Sequence, residues 1–525
     1  MTGTGGVPLD RRRVLGLGAA LGAGLVTGAC TSDPAPPPRP VPTPTPALVR
    51  RARRRPFEPA EVPTRFWDAQ ARAPREREVE GFADRVSVLP GEPVRLFLSS
   101  TAPEVRVTAY RVGWYAGAGA ARVWASGTVP ARLQPPGVTT GPLRTVVAPW
   151  EPTLTVPTAG WRPGAYLLRL DASSGGSSMV PLVVRSTSTA GALVLSSAVA
   201  TWQAYNAWGG RSLYHGTGGL GDDAGRSLAV SFDRPYDKGG DDIFRNYELP
   251  VVQLAERLGL PVAYTTSVQL DSDPSLLSGA KALVSLGHDE YWSVAMRQHA
   301  TAARDAGTNI AFLGANACYR RIRFGETELG SGRLVTCYKG AWHEDPYVHT
   351  DPAQVTTDWR ADPHPEPEAT LVGPQYEGFP VRGDYTVTNA GSWVFAGTGL
   401  RDGDTLPRLA GPEYDRVMPQ PGLPAGLELL AHSKVVCRGV RTFQDSAYYT
   451  TASGAGVLST GTMRWVGSVG GNCGTRVKDV TTRATANVLE AFAAGPAGLQ
   501  HPAEGGATEV DTYPGDAVAA RRDLW

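Results

Sequence analysis

Hydrophobic positions along the chain follow two different periods, and the change between them divides the sequence. Over residues 86–187, apolar side chains alternate with polar ones, as at Val94, Leu96 and Leu98, and Gly and Pro turns interrupt the pattern at short intervals. A period of two is typical of half-buried strands. This stretch therefore predicts an all-β sandwich domain.

From residue 188 to residue 497, short apolar runs alternate with helical patterns. The apolar runs predict buried strands at residues 192–197, 262–265, 282–286 and 309–313. The helical patterns predict helices at about residues 249–259, 292–306 and 481–494. Alternating strands and helices are typical of a parallel sheet. We therefore predict an α/β domain with a mostly parallel sheet, similar to the fold of glutamine amidotransferases.

The N-terminal residues 1–30 have the features of an export signal. Arg11, Arg12 and Arg13 begin a twin-arginine pattern, and an apolar run rich in Gly and Ala continues to Cys30. The residues that precede Cys30 fit a loose lipobox, so Cys30 is the candidate for lipidation; an ordinary cleaved signal is the alternative. We expect export by the twin-arginine route, ending in a cell-surface lipoprotein with membrane contact through its anchor, or in a secreted protein.

Two further segments lie outside the predicted domains. Residues 31–85 form a linker that is first rich in proline and then basic, and residues 498–525 form a polar tail. A proline-rich linker acts as a semi-rigid spacer. The formal net charge of +1 over 525 residues argues against a dedicated nucleic-acid binder, so no nucleic-acid partner is expected.

Once Cys30 is assigned to the signal, four cysteines remain, and they are Cys318, Cys337, Cys437 and Cys473. Outside the cytoplasm they permit two disulfides with three connectivities, of which Cys318–Cys337 with Cys437–Cys473 is the first hypothesis. Their spacing matches no zinc-binding cluster. Cys318 follows a predicted strand, as the nucleophile of an amidotransferase-like fold would, but we interpret it as structural.

Ionisable side chains concentrate where the predicted strand at residue 282 ends. His288, Asp289 and Glu290 follow a glycine there, and Asn316 follows the next predicted strand in the same way. Ligands bind at the carboxyl ends of strands in open α/β sheets. We therefore expect His288 and Glu290 to face one pocket, with Asp289 at the helix terminus. The alternative is purely structural, with Asp289 or Ser293 as the helix cap.

Several segments resemble one known family. The sequence Ser-Leu-Gly-His-Asp-Glu-Tyr-Trp-Ser at residues 285–293 is similar to the signature of the family built on the large (beta) subunit of N,N-dimethylformamidase. Residues 110–115, 201–210 and 412–416 resemble the same family, and the likeness covers roughly residues 90–495. The resemblance implies hydrolysis of a C–N amide bond at one mononuclear Fe3+ per chain, held by two tyrosines and one glutamate.

Mapped by these motifs, the metal-binding glutamate is Glu290 and the assisting histidine is His288. Tyr205 and Tyr236 are the preferred tyrosine ligands, with Tyr214 and Tyr247 left open. Phenolate and carboxylate oxygens are hard donors that suit Fe3+. We take Glu413 as the second catalytic acid, with a salt bridge to Arg416 or a turn carboxylate as the alternative. Asn206 and Asn316 are the candidates for substrate binding, with a turn amide as the more common role of such residues.

The implied partner is a small amide substrate, and a homo-oligomer is left open. Dimethylformamidase works in the cytoplasm with a small subunit, whereas this chain has an export signal and no segment identified as that subunit. Two alternatives therefore stay open. One is a non-catalytic cell-surface lipoprotein that binds carbohydrate or protein, and the other is a metal-independent hydrolase in which His288 and Glu413 activate water.

Overall fold

The computed structural model describes residues 61–65 and 78–505. Strands account for 35% of the structure and helices for 22%. Within the described residues the strands form eight sheets, most of them small and antiparallel or mixed. The predicted signal, its Cys30, most of the linker and most of the tail lie outside the described residues.

Two sheets near the N-terminus enclose one apolar core. The larger has the order β1-β6-β5-β10-β11-β3, the smaller is β2-β4-β9, and β7-β8 is a separate hairpin. Alternate side chains such as Leu96, Val107 and Leu168 fill the space between the sheets, because successive residues of a strand point to opposite faces. The strands are β1 (Val62–Pro63), β2 (Val79–Ala83), β3 (Ser87–Val88), β4 (Val94–Ser100), β5 (Glu104–Val112), β6 (Ala120–Pro130), β7 (Val138–Thr140), β8 (Thr145–Val147), β9 (Leu154–Val156), β10 (Gly164–Ala172) and β11 (Ser177–Val184).

The rest of the described chain is built from further strands and all of the α-helices described. The strands are β12 (Leu193–Ser197), β13 (His215–Gly216), β14 (Gly219–Leu220), β15 (Ala229–Ser231), β16 (Val262–Thr266), β17 (Ala282–Ser285), β18 (Tyr291–Ser293), β19 (Asn309–Phe312), β20 (Arg320–Thr327), β21 (Gly330–Thr336), β22 (Gln375–Gly378), β23 (Gly383–Thr386), β24 (Thr405–Ala410), β25 (Tyr414–Arg416), β26 (Glu428–Cys437), β27 (Val440–Thr450) and β28 (Gly456–Ser459). The α-helices are α1 (Val199–Tyr205), α2 (Asp242–Tyr247), α3 (Leu249–Leu258), α4 (Ser267–Ser272), α5 (Val294–Asp305), α6 (Ala369–Val372), α7 (Trp465–Gly470) and α8 (Thr475–Ala494). The short 3-10 helices are Tyr115–Gly117, Trp208–Gly210, Lys339–Glu344, Pro346–His349, Pro352–Gln354, Trp393–Phe395 and Ala497–Leu499.

The largest sheet is mixed and has the order β16-β12-β17-β19-β28-β27-β26. Its first five strands run parallel, and the long hairpin β26-β27 completes it in antiparallel pairing. A second sheet, β15-β21-β20-β18, lies beside the carboxyl end of β17, because β18 begins soon after β17 ends. Both sheets therefore contribute to the region that follows β17.

The predicted fold class, a mostly parallel α/β domain similar to glutamine amidotransferases, is wrong. The strands predicted at residues 262, 282 and 309 do pair in parallel. Taken together, however, the described residues form mainly small antiparallel and mixed sheets with few helices, a sandwich-like arrangement. The strand-helix alternation is local, because beyond residue 313 most of the described strands pair in antiparallel fashion, and only β28 joins the parallel strands of the largest sheet.

The helices expected at 249–259 and 292–306 are confirmed as α3 and α5, and the one expected at 481–494 is α8, which begins earlier. α3 packs Val251, Val252 and Leu254 into the core that lies against the largest sheet, and α8 packs Val488 and Leu489 into the same core. These residues recur at the spacing of one helix face.

Buried polar contacts join the N-terminal sheets to the rest of the chain. Arg111 of β5 donates to Glu256 of α3 over 2.5 Å, and the same carboxylate accepts the hydroxyl of Tyr264 (2.8 Å) and the backbone N–H of Trp114 (3.0 Å). The aromatic segment around residue 114 therefore contributes to an internal interface. Charge-assisted bonds of this kind are among the stronger ones in proteins.

The hypothesis of two disulfides is wrong, because all four cysteines that the structure describes are free and buried. Cys318 and Cys337 belong to different apolar clusters, and so do Cys437 and Cys473. Each proposed pair is thus separated by packing that the spacing in sequence does not reveal.

No helix among the residues described is long and apolar enough to cross a membrane.

Candidate functional site

Two glycine turns bring the strand ends together. Gly287, after β17, has a positive φ of 51°, and a Cβ there would clash with the carbonyl oxygen of Tyr247. Gly314, after β19, lies so close that its Cβ would clash with the carbonyl oxygen of Gly287. Only glycine allows this approach of two backbones. The turns that carry His288 and Asn316 are therefore in direct contact.

Glu290 receives two tyrosine hydroxyls. Tyr205 donates to its Oε2 and Tyr214 to its Oε1, each over 2.7 Å, and the two phenol oxygens lie 3.2 Å apart. The two rings are stacked, with centroids 4.5 Å apart. The Thr201 hydroxyl accepts the backbone N–H of Glu290 and fixes its position. Two phenol oxygens and both oxygens of the buried Glu290 carboxylate thus converge.

His288 lies between two carboxylates. Its Nε2 is 3.5 Å from Oε2 of Glu290 and 3.5 Å from Oε2 of Glu413, too far for a strong hydrogen bond to either. This nitrogen is buried and has no hydrogen-bond partner. Asn316 donates from Nδ2 to the same Glu413 oxygen over 3.0 Å. The Glu413 side chain is 14% exposed, so the cluster reaches solvent on this side.

Two cationic side chains that the sequence did not indicate approach the phenols and Glu290. Arg320 Nε lies 3.4 Å from Glu290 Oε1. Lys339 Nζ lies 3.1 Å from the centroid of the Tyr214 ring and donates to the carbonyl of Leu213 over 3.0 Å. Both residues lie far from Glu290 in sequence. Nothing in their local sequence pattern could have assigned them to this site.

The charges in the cluster shift the pKa values of its members. Burial opposes ionisation of Glu290, but His288 and Arg320 outweigh it and lower the pKa of this carboxyl. Burial likewise lowers the pKa of His288, yet the Glu413 and Glu290 carboxylates reverse the effect and raise it. Burial raises the pKa of Glu413. Without a cation, burial and the charge of Glu290 keep both phenols protonated, because they raise the pKa values of Tyr205 and Tyr214 well above 10.0.

The other tyrosines considered from the sequence lie at different distances from this cluster. The Tyr247 ring contacts His288 edge-on, with centroids 5.6 Å apart. Tyr236 lies instead against Trp202, with centroids 6.3 Å apart, in an apolar cavity that Phe244 also lines. Tyr214, which the sequence left open, occupies the position beside Tyr205 that we had expected for Tyr236.

Asn206 is not free to meet a substrate in this arrangement. Its Nδ2 donates to the Gln203 side chain (2.7 Å) and to the carbonyl of Pro235 (2.8 Å). Its Oδ1 accepts the backbone N–H groups of Trp208 and Asp237. All of these bonds are within the protein, as expected for an asparagine that organises a turn.

Asp289 turns away from the cluster. Its Oδ2 accepts the hydroxyl of Ser285 over 2.8 Å, and burial raises its pKa to about 6. Helix α5 is capped by Ser293, whose hydroxyl accepts the backbone N–H of Met296. The expectation that Asp289 caps the helix is therefore wrong, and the alternative of a Ser293 cap is confirmed.

The donor set fits a hard metal ion. Among the described residues, no group of three or more His, Cys, Asp or Glu side chains is arranged to hold a metal. The oxygens of Tyr205, Tyr214 and Glu290 form a set of another kind, two phenols and a carboxylate within hydrogen-bond distance of one another. Such oxygen donors suit hard cations such as Fe3+.

Comparisons with known proteins agree with the sequence motifs. Residues 106–476 match the model of a family described as N,N-dimethylformamidase beta subunit-like, C-terminal. No curated protein matches the chain. One solved structure, a Paenibacillus sp. cycloisomaltooligosaccharide glucanotransferase complexed with cycloisomaltoheptaose, is 16% identical over 24% of this chain and 17% of its own, with a TM-score of 0.14, too low to bear on the fold. Because the family model spans well over half of the chain, the protein belongs to the N,N-dimethylformamidase beta subunit-like family, a family of dimethylformamidase-like hydrolases.

Proposed function

We propose that the protein hydrolyses the C–N bond of a small amide at a mononuclear ferric centre held by Tyr205, Tyr214 and Glu290. The observation that carries the proposal is the convergence of two phenol oxygens on the two oxygens of one buried carboxylate, each over 2.7 Å. Family membership supports the same reaction class. When bound, the ion would supply Lewis acidity that polarises the amide carbonyl.

The residues around these phenol and carboxylate oxygens suit the proton transfers of amide hydrolysis. His288 Nε2 and Glu413 Oε2 lie 3.5 Å apart, and Glu413 is the member of the pair that reaches solvent. In the proposed reaction, Glu413 takes a proton from the attacking water and His288 holds a proton for the leaving nitrogen. The C–N bond breaks as the water oxygen bonds to the acyl carbon, and the amine leaves with the proton from His288. Glu413 then passes the water proton to His288, which restores both groups.

The same proposal places the enzyme outside the cytoplasm. Support comes from the sequence alone, in the twin arginines and the apolar run that ends at Cys30. Lipidation at Cys30 would tether the enzyme, and the proline-rich linker would hold its folded part away from the membrane surface. Acyl labelling of wild type and Cys30→Ala in cells tests this part, and a wild type that takes up no acyl label would contradict the lipid anchor.

The test of the metal centre is iron analysis of the full-length protein with a visible spectrum. A tyrosinate bound to Fe3+ absorbs visible light by charge transfer. We expect about one iron per chain and a coloured protein. Tyr205→Phe and Tyr214→Phe should each weaken iron binding by at least about 10- to 100-fold and remove much of the absorption.

Two variants make this test selective. Tyr264→Phe removes a hydroxyl that also donates to a glutamate, Glu256, but outside the cluster, and it should leave iron content and colour unchanged. Tyr236→Phe should do the same, since Tyr236 lies against Trp202. Loss of colour with Tyr236→Phe but not with Tyr214→Phe would reverse the ligand assignment.

Amide hydrolysis that survives removal of all metal would favour direct activation of water by His288 and Glu413.

A folded protein that stays colourless and free of metal after reconstitution with iron, and hydrolyses no amide, would contradict the proposed function. The non-catalytic surface lipoprotein would then be the better hypothesis.

A further inference from the structure

The amide group of Asn316 has two polar atoms, and only one of them has a hydrogen-bond partner. Nδ2 donates to Glu413 Oε2 over 3.0 Å, whereas Oδ1 is buried and has no hydrogen-bond partner. The residue as a whole is 2% exposed. Buried polar atoms in folded proteins are nearly always paired, so an unpaired one beside a reactive cluster calls for a ligand or a water.

The backbone holds this side chain in place. Asn316 has a positive φ of 61°, which non-glycine residues adopt only rarely. Its N–H donates to Oδ1 of the buried Asp415 over 2.7 Å, and the preceding turn is pressed against the turn of Gly287. Asparagine tolerates this left-handed conformation better than most other residues, and the bond to Asp415 with the contact to the Gly287 turn fixes its position.

The orientation of the amide group follows from its neighbour. Glu413 is an acceptor when ionised, so Nδ2 must face it. A flipped amide would place Oδ1 against the carboxylate oxygen, with repulsion in place of a bond. Oδ1 is thus the free atom, and it can only accept a hydrogen bond.

A second unpaired atom lies near the same carboxylate oxygen. His288 Nε2 is 3.5 Å from Glu413 Oε2, the oxygen that Asn316 also contacts. Two buried polar atoms without partners therefore lie beside Glu413. A secondary amide has an N–H that can donate to Asn316 Oδ1, whereas the nitrogen of an N,N-dialkylamide has none.

We infer that Asn316 Oδ1 accepts the N–H of the substrate, so that this enzyme prefers amides whose nitrogen carries at least one hydrogen over N,N-dialkylamides. This inference rests on the proposed amide hydrolysis. A site that hydrogen-bonds a substrate N–H rejects analogues without it, because its own buried acceptor is then left unpaired. Asn316 would determine specificity by this contact.

The test compares three substrates with the iron-reconstituted full-length protein. N-methylformamide has the N–H, N,N-dimethylformamide replaces it with a methyl group, and methyl formate replaces it with oxygen without added bulk. We expect wild type to favour N-methylformamide over N,N-dimethylformamide by about tenfold or more in kcat/KM. In Asn316→Ala, kcat/KM for N-methylformamide should fall by about tenfold more than that for methyl formate.

A matched control is Asn389→Ala. Asn389 also donates from Nδ2 to a glutamate, Glu428, over 2.6 Å, but on a different part of the fold. This variant should keep the wild-type order of substrates. A purely structural role of Asn316 would instead lower all three rates by the same factor, and that result, or a wild type that does not discriminate, would overturn the inference.

The inference and the proposed function can fail separately. If no amide is hydrolysed, the function fails, and ligand-observed NMR of N-methylformamide and N,N-dimethylformamide decides the inference. Selective binding of N-methylformamide by wild type, lost in Asn316→Ala, would support it. Equal or absent binding of both amides would overturn it and leave a buried water as the partner of Oδ1.

Discussion

Glu256 and Glu290 each accept at least one tyrosine hydroxyl, and they differ in what else surrounds them. Glu256, at the interface with the N-terminal sheets, also accepts the guanidinium of Arg111 over 2.5 Å and a backbone N–H. Glu290 accepts two phenols, while its nearest cation, Arg320, is 3.4 Å away and His288 is 3.5 Å away. The first carboxylate is fully neutralised by bonded partners, whereas the second is not.

This difference separates a structural ion pair from a site prepared for a ligand. Around Glu256 the donors and acceptors match, so the cluster stabilises the fold as it stands. Around Glu290, His288 Nε2 and Asn316 Oδ1 are buried without partners. A bound ligand or a water would pair such atoms, and here they lie beside the convergent oxygens of Tyr205, Tyr214 and Glu290. The unsatisfied cluster is therefore the one to which we assign chemistry.

The largest effect is expected when Glu290 is changed to Gln. The substitution keeps the shape of the side chain but removes the charge that would bind the cation. Iron should no longer copurify, and amide hydrolysis should fall by more than about 100-fold, beyond the loss typical of residues that only support a metal ligand. Iron content and kcat/KM measure the effect. Glu256→Gln is the matched control, and a Glu290→Gln protein that retains both iron and activity would contradict the assignment.

Glu256→Ala should have the opposite effect to Glu290→Gln: it should lower the stability of the fold and leave iron binding unchanged. It leaves the Arg111 guanidinium buried without its carboxylate, since that side chain is only 6% exposed. Breaking a buried ion pair in this way costs about 3–5 kcal/mol of unfolding free energy. Urea denaturation measures the loss, while iron bound per folded molecule should not change. Replacing both residues with apolar ones should recover part of the stability, and a variant as stable as wild type would show that the pair contributes little.

Another glutamate, Glu248, is buried without a cationic partner. Its titration should have the smallest of the three effects, a change in the unfolding free energy with pH. Its Oε1 accepts the N–H groups of Ala198 and the Trp202 ring, its Oε2 has no partner, and burial raises its pKa from 4.5 to about 8. The folded state therefore binds more protons than the unfolded state between these values. Stability from this group is complete below pH 4.5 and declines towards pH 8, by at most about 1.4 kcal/mol per pH unit.

Glu248→Gln keeps the acceptor and removes the titration. The unfolding free energy of wild type relative to this variant should thus fall as the pH rises from 5 to 8. Parallel pH profiles for the two proteins would show that Glu248 does not titrate in this window.

Much of the candidate site could be predicted from the sequence, because it lies where strands end. His288 and Glu290 follow β17, and Asn316 follows β19, its parallel neighbour. Their proximity follows from strand pairing, which apolar runs and glycine turns indicate locally. The motif resemblance added Tyr205 and Glu413, which come from distant parts of the chain and which the structure places beside the same cluster.

Other members of the cluster could not be predicted from local patterns. The choice of Tyr214 over Tyr236 depends on the path of the chain after α1, which places Tyr236 against Trp202. Lys339 reaches the Tyr214 ring from the end of β21. The sequence pattern also did not predict that the four cysteines lie in different cores. Nor did it predict the hairpin β26-β27, which makes the largest sheet mixed.

The sequence by itself determined the family, the parallel strands near residues 262, 282 and 309, and the identity of the residues at their ends. Only the tertiary structure decided the fold class, the partner of Tyr205 and the unpaired atoms beside Glu413. The physical reason is the range of the forces involved. Periodicity and turn chemistry act over a few residues and are visible in the sequence, whereas side-chain pairing in a core depends on where distant segments meet.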